Sequence, residues 1–233
     1  MPKENNKTIE VVKDIQKLII NGELNPGDKL EPLRELADKY HTSRSVINSA
    51  IHILTTKGYL KIKPRHYVQV NDFLYSGSLD IMKDIYFESN EKLKSKITKE
   101  TLNIRLLAEI DAINQIINNN FSLDKLKDVL LKEKNVIKNE LIDIEEMVLL
   151  DCEFHETLVK SSRNTVLFLL FMAFKEIELD LVRKFYNSRS RFIKVVQIHD
   201  ELVLLIENKN KDKAIEIWDK LLKQGAEVVL SEL

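Results

Sequence analysis

"HTSRSVINSAIHILTTKGYLKIKPRHYVQV", residues 41–70, contains neither aspartate nor glutamate. The acid-free run covers residues 39–71 and is bounded by Asp38 and Asp72. It sits in a chain of 233 residues that carries 36 Lys+Arg against 37 Asp+Glu, a formal net charge of −1. Within it lie Lys39, Arg44, Lys57, Lys61, Lys63 and Arg65, together with three of the five histidines, His41, His52 and His66. A surface cleared of carboxylates suits a polyanion, because an acid there would face phosphates. The same run has a legible local order. Ser43 is a good N-cap for a helix to about Thr56, with Ile47, Ala50, Ile51 and Leu54 on one face and Arg44, Ser45, Asn48, Ser49 and His52 on the other. Gly58 closes that helix, and "YLKI" and "YVQV" alternate as two short strands around "KPRH".

Upstream, "TIEVVKDIQKLIINGELNPG" places Ile9, Val12, Ile15, Leu18 and Ile19 at helical spacing, and Asn21-Gly22 ends that helix. "NPGDKL" reads as a turn, and a short second helix turns Leu33, Leu36, Ala37 and Tyr40 inward. Three helices followed by a β-ribbon make a winged helix-turn-helix. In that fold the acid-free run forms the turn, the recognition helix and the wing, which are the parts that approach DNA. Thr42, Ser43, Arg44, Ser45, Asn48, Lys63, Arg65 and His66 are the candidate DNA-binding residues. Charge alone slightly favours a solvated basic face; charge in this element order points to double-stranded DNA.

The rest of the chain differs. All four prolines (Pro2, Pro26, Pro32, Pro64) and three of the five glycines precede residue 65, and after Gly77 only Gly225 remains. A long stretch rich in Leu, Ile, Lys and Glu without these breakers is most simply helical throughout. Residues 1–75 hold 12 basic and 9 acidic residues, whereas the remainder holds 24 and 28. The expected organisation is a winged helix-turn-helix domain over 1–72 and an all-helical effector-binding and dimerisation domain over 78–233. The clearest helices are expected at 96–119, 123–139, 142–161, 165–187, 189–208 and 211–230. The fold class is mainly α: a winged helix-turn-helix with a small β-ribbon wing, then an antiparallel helical bundle.

Composition narrows the setting. With 44% apolar and 31% charged residues the chain buries a core. The single Cys152 cannot form an internal disulfide, which fits a reducing cytosol. "MPKENNKTIE" has no apolar segment of a secretory signal. The longest apolar block, "VLFLLFMAF" at 166–174, has nine residues against the roughly 20 that cross a bilayer. It reads as a buried helix contributing to core and dimer contact. A cytoplasmic protein with no membrane partner is expected.

"LIINGELNPGDKLEPLRELADKYHTSRSVINSAIHILTTKGYL" resembles the signature of GntR-type bacterial transcription regulators: G-x-L-x-P-G-x-x-L, then R-E-L-A, then S-R-x-x-V-x-x-A-L, then a glycine and an aromatic. The resemblance implies DNA contacts by Arg34 and Arg44. The family usually has a further arginine four residues after Arg44, where this chain has Asn48, and a glycine in the wing, where "KPRHY" has none. Asparagine pairs with adenine where arginine prefers guanine, so a shifted operator is expected. The later helices resemble the FadR subfamily, whose helical C-terminal domain senses an effector and dimerises. "LNIRLLAEI" fits its R-x-x-x-E helix through Arg105 and Glu109, and "LLDCEFHETLVKSSRN" fits its D-x-x-F-H…N motif through Asp151, Phe154, His155 and Asn164.

Asp151 and His155 stand at i, i+4 on one helical face, and His199 matches a second metal histidine of that subfamily. The subfamily's third histidine falls on Leu221 or its neighbours here. Asp151, His155 and His199 are therefore either three ligands of a divalent ion such as Zn²⁺, with water or an effector carboxylate completing the shell, or the polar lining of an ordinary pocket. Arg105 and Arg183 are candidates to meet an anionic effector, with ion pairing, Arg105 to Glu109, as the other reading. The effector is expected to be a small organic acid, with or without the metal, or a fatty acyl compound such as acyl-CoA, since "VNDFLYSGSLDIM" looks like the acyl-CoA-sensing members.

The reading is a homodimeric repressor or activator on a palindromic operator, its affinity controlled by a small-molecule effector. The rival is a metal-dependent hydrolase built on Asp151, His155 and His199 with a DNA-targeting domain. Against it, "HETLV" has Val159 where the zincin motif requires a histidine. A chromatin-like architectural protein would need a strong positive charge that this chain lacks.

Overall fold

The computed structural model describes residues 2–63, 67–138 and 143–232. It divides into two compact units, Met1–Lys94 and Ser95–Leu233.

In the first unit, α1 (Pro2–Ile20) and α2 (Leu33–Lys39) pack on α3 (Arg44–Lys57), and β1 (Leu60–Lys63) pairs antiparallel with β2 (Tyr67–Val70) in the register Leu60↔Val70. The apolar face of α3 is buried through Ile47, Ala50, Ile51 and Leu54, against Val11, Val12, Ile15 and Ile19 of the same unit's core. Ile9, expected inside, is instead exposed, and Val11 takes the buried position. The Ser43 hydroxyl accepts from the Val46 N–H, satisfying one of the free donors at the start of α3. The segment read as a plain turn does more: Leu30 N–H donates to the Val68 carbonyl at 2.9 Å and Val70 N–H to the Asp28 carbonyl at 2.8 Å, which adds a third edge to the ribbon. The wing tip, Pro64 to His66, lies outside the described residues.

The unit extends beyond the wing through α4 (Phe73–Ser76) and α5 (Ile81–Glu88), a pair of short helices that the sequence pattern does not announce. They belong to it for a reason visible in Asp84. Its Oδ2 accepts from Gln16 Nε2 at 2.8 Å and Lys57 Nζ at 2.7 Å, and Asn21 Nδ2 donates to the Glu88 carbonyl at 3.0 Å. The first compact unit accordingly runs to Lys94.

Gly58 ends α3 with φ +89°, and a Cβ there would lie 2.7 Å from both the Gly77 Cα and the Ser76 carbonyl oxygen. Both neighbours are backbone and cannot rotate away. Gly58→Ala is expected to destabilise this unit by about 2 kcal/mol, combining left-handed strain with the clash. The urea midpoint of the full-length protein's N-terminal transition measures it; an unmoved midpoint would remove the glycine requirement.

The second unit contains most of α6 (Glu91–Asn119), then α7 (Asp124–Val136), α8 (Ile144–Ser161), α9 (Thr165–Met172), α10 (Lys175–Phe185), α11 (Arg189–Glu207) and α12 (Lys211–Ser231). α8 is central, in contact with α7, α9 and α10, while α12 packs on α10 and α11. The main core runs through Phe154, Leu158, Phe192, Leu202 and Trp218, all fully buried. The single helix expected over 165–187 is two. A break at Ala173–Phe174 lets Phe171 pack with Ala108, Ala112 and Val159, while Val182 and Tyr186 join the main core. The block at 166–174, expected to be buried, is largely outside: Val166 is 68% and Leu169 63% exposed, and only Phe171 is in the core. Among the described residues no helix is long and apolar enough to cross a membrane.

Candidate functional site

On the first unit, Arg44 opens α3, and Arg44, Ser45 and Asn48 are exposed on the face opposite the core residues. Ser43 and Arg34 are exposed, Thr42 is half-buried, and Lys63 is exposed at the end of β1. Arg65 and His66 lie outside the described residues. The first turn of α3 has no acidic residue, so its free N–H groups and partial positive charge favour an anion beside Arg44.

In the second unit, Asp151 and His155 project from α8 and His199 from α11, all at most 4% exposed. His155 Nε2 lies 3.6 Å from Asp151 Oδ2, and His199 Nε2 lies 4.0 Å from Asp151 Oδ1. The three donor atoms all fall within 4.8 Å of one another. Each imidazole turns its other nitrogen to a buried carboxylate: His155 Nδ1 is 2.7 Å from Glu109 Oε2, and His199 Nδ1 is 3.0 Å from Glu133 Oε2. Tyr186 donates its hydroxyl to Asp151 Oδ1 at 2.7 Å. His199 Nε2 is buried and has no hydrogen-bond partner among the described residues.

These contacts are what a metal centre requires. A ligating histidine gives its second N–H to a carboxylate, which fixes the tautomer and leaves the lone pair for the ion. Burial, aided by the Arg105 cation, pushes the His155 pKa down and keeps its imidazole neutral, the form that ligates. Burial opposes charge on Glu109 too, but the Arg105 cation and the hydrogen bond from the neutral His155 hold that carboxyl below the usual carboxylate range. An orphaned buried nitrogen is otherwise costly. The geometry thus fits a divalent ion with three protein ligands. Burial opposes charge on His199, but Glu133 and Asp151 outweigh it and raise its pKa, so an ion binding there would displace a proton from its imidazole. No histidine of α12 reaches the site; Leu221 lines the adjoining cavity instead.

That cavity, of about 50 Å³, has Arg105, Asp151 and His155 as its polar lining, and Phe185, Leu221 and Gly225 are among its apolar walls. Arg105 is committed as well as exposed to it: Nε donates to Glu109 Oε1 at 2.8 Å, and its NH2 group is 3.3 Å from Glu178. Burial pushes Glu178 up to about 8, so this carboxyl is largely neutral at pH 7. Arg183 is elsewhere. It forms a two-pronged surface pair with Glu145, at 2.9 and 2.6 Å, and does not line the cavity.

Glu133, Tyr186 and Trp218 escaped the sequence reading. Glu133 had a signal, since it continues the buried stripe Leu126, Val129, Leu130 of α7, where an acid is out of place. Tyr186 and Trp218 reach the site only through tertiary packing.

Residues 7–70 match the bacterial regulatory proteins, gntR family, and residues 100–224, more than half the chain, match the FCD domain. The HTH-type transcriptional regulator LutR of Bacillus subtilis (strain 168) is 27% identical over 169 residues, spanning 72% of this chain and 73% of LutR. The fatty acid metabolism regulator protein of Shewanella baltica (strain OS185) is 25% identical over 202 residues, 85% of this chain and 80% of its own. Among solved structures, Lar, which controls expression of the Listeria monocytogenes agr system, has a TM-score of 0.59 at 16% identity, covering 94% of this chain and 95% of Lar. A GntR transcriptional regulator from Rhodococcus sp. RHA1 has a TM-score of 0.52 at 14% identity, covering 98% and 99%. Those two likenesses concern the fold alone. The relatives are regulators, which sets the hydrolase alternative aside. The chain belongs to the gntR family of bacterial regulatory proteins and carries an FCD domain: it is a DNA-binding transcription regulator with an effector-binding C-terminal domain, and not an enzyme.

Proposed function

We propose that the effector is a small organic acid bound at a divalent metal on Asp151, His155 and His199, and that its arrival changes operator affinity. The observation that carries this is the partnerless, buried His199 Nε2, which converges with His155 Nε2 on Asp151 while both imidazoles lean on buried carboxylates. The bound ion would act as a Lewis acid on the effector's oxygens. Arg105 stands beside that position as the one cation of the cavity wall among the described residues. The polar groups at the cavity, Arg105, Asp151 and His155, suit the carboxylate of a small organic acid. Protein purified untagged and without chelator should contain about one divalent metal per chain by elemental analysis, and the His155→Ala variant should contain none. A metal-free wild type would overturn the reading and move acyl compounds to the front of the ligand screen.

The operator is read by Arg34, Thr42, Ser43, Arg44, Ser45 and Asn48, with Lys63, Arg65 and His66 from the wing. The working form is a cytoplasmic homodimer on a palindromic site, since two recognition helices give the affinity that one rarely supplies. α9 supports this. It is apolar all round, and such a helix is stable when covered on every side. Its outer face, Val166, Leu169 and Leu170, fits a second copy of this chain. Leu169→Glu should convert a dimer into a monomer in sedimentation velocity while helical content is kept; a persisting dimer would exclude α9 from the interface. The effector would bind the two dimer geometries unequally and so shift their populations.

A further inference from the structure

The last helix supplies no ligand, yet it is not absent from the site. Trp218 of α12 is fully buried and donates its indole N–H to Glu109 Oε2 at 2.7 Å. That is the same oxygen that His155 Nδ1 approaches at 2.7 Å, while Arg105 Nε occupies Oε1 at 2.8 Å. The Trp218 ring lies 5.1 Å from the His155 ring and 5.5 Å from that of His199, centre to centre. Further along, the residues that α12 offers to the cavity are all apolar, beginning with Leu221 and Leu222.

The donor inventory decides what this does. Indole and guanidinium groups donate and never accept. Glu109 must therefore accept from both Trp218 and Arg105, and its remaining approach, from His155 Nδ1, must also be a donor. That places the imidazole proton on Nδ1 and the lone pair on Nε2, toward Asp151. We infer that Trp218 is a positioning residue of the metal site, acting through Glu109 to hold His155 in the ligating tautomer, so that α12 contributes one shell further out than a ligand would. The inference rests on the metal reading above.

Cobalt(II) is a suitable probe, because its visible absorption reports ligand geometry and it quenches nearby fluorophores. Trp218 is the chain's single tryptophan, so intrinsic tryptophan emission comes from this site alone. Titrating full-length wild type should produce a visible cobalt band and quench the emission in step with it. Trp218→Phe keeps a packed ring but removes the N–H. It should bind cobalt roughly tenfold more weakly, with an altered band. Loss of packing alone would lower the melting temperature but leave the band of the loaded protein unchanged. An equal affinity with an identical band in Trp218→Phe overturns this inference while leaving the metal reading intact; bound cobalt that leaves wild-type emission unquenched would lie away from Trp218 and overturn both. No cobalt band in wild type overturns both. If Trp218→Phe fails to fold, the nitrogen-15 chemical shifts of the metal-free wild-type imidazoles decide the matter: a proton on His155 Nδ1 is expected, and a proton on Nε2 instead overturns the inference.

Discussion

Arg105→Met should lower the stability of the C-terminal unit by about 3–5 kcal/mol, because it strips a buried carboxylate of its counter-charge while leaving the carboxylate in place. The side chain is 13% exposed and its partner Glu109 not at all, so solvent cannot take over the role. Glu109 is the group that suffers. Its carboxyl is held below the usual range and is ionised, whereas Glu178, pushed up to about 8 by burial, is largely neutral and needs little from the arginine. Two controls follow from that asymmetry. Glu178→Gln alone should cost no more than about 1 kcal/mol, the ordinary scale of a single neutral contact. Arg105→Lys should fall nearer to Arg105→Met than to wild type, because a lone ammonium cannot match the planar group that meets Glu109 and Glu178 from separate nitrogens. Chemical denaturation followed by circular dichroism gives all three numbers. A small loss in Arg105→Met would mean that Glu109 finds another counter-charge.

The second large effect concerns DNA. Arg44→Ala should weaken specific operator binding by about 1–3 kcal/mol, roughly 5- to 150-fold. Arg44 is exposed at the first residue of α3, and nothing acidic shares the first turn to neutralise it. The operator is first selected from a random DNA pool, and affinity is then measured by gel shift at several salt concentrations. A base contact relaxes specificity at one position. A phosphate contact weakens all sequences alike and reduces the salt slope by about one. Unchanged affinity would take Arg44 out of the interface.

The sequence carried the reader domain well because its signals are local. Ser43 caps, Gly58 terminates in the left-handed region, and the spacing of Ile47, Ala50, Ile51 and Leu54 needs no tertiary knowledge. Legibility failed where a residue's role depends on what packs against it. In the all-apolar 166–174 block, periodicity could not say which side faces the core, nor that the helix breaks at Ala173. Helix α5 was hidden because eight residues beside "SGS" give too few turns for a pattern. In the sensor, Asp151, His155 and His199 could be named from spacing and resemblance. Glu109 could be named only as the partner of Arg105, and the rest of the supporting shell not at all, because the contacts of Glu109, Glu133, Tyr186 and Trp218 join segments separated by 35 to 109 residues.

The clasp made by Asp84 has a practical corollary for building hybrid regulators. A reader cut at Val70, where the wing ends, would lose the acceptor that Gln16 and Lys57 share and the backbone that fills the space beside Gly58. The graft point that keeps this module whole lies after Lys94, so a chimera joined there should retain sequence-specific DNA recognition under a foreign sensor, and one joined at Val70 should not.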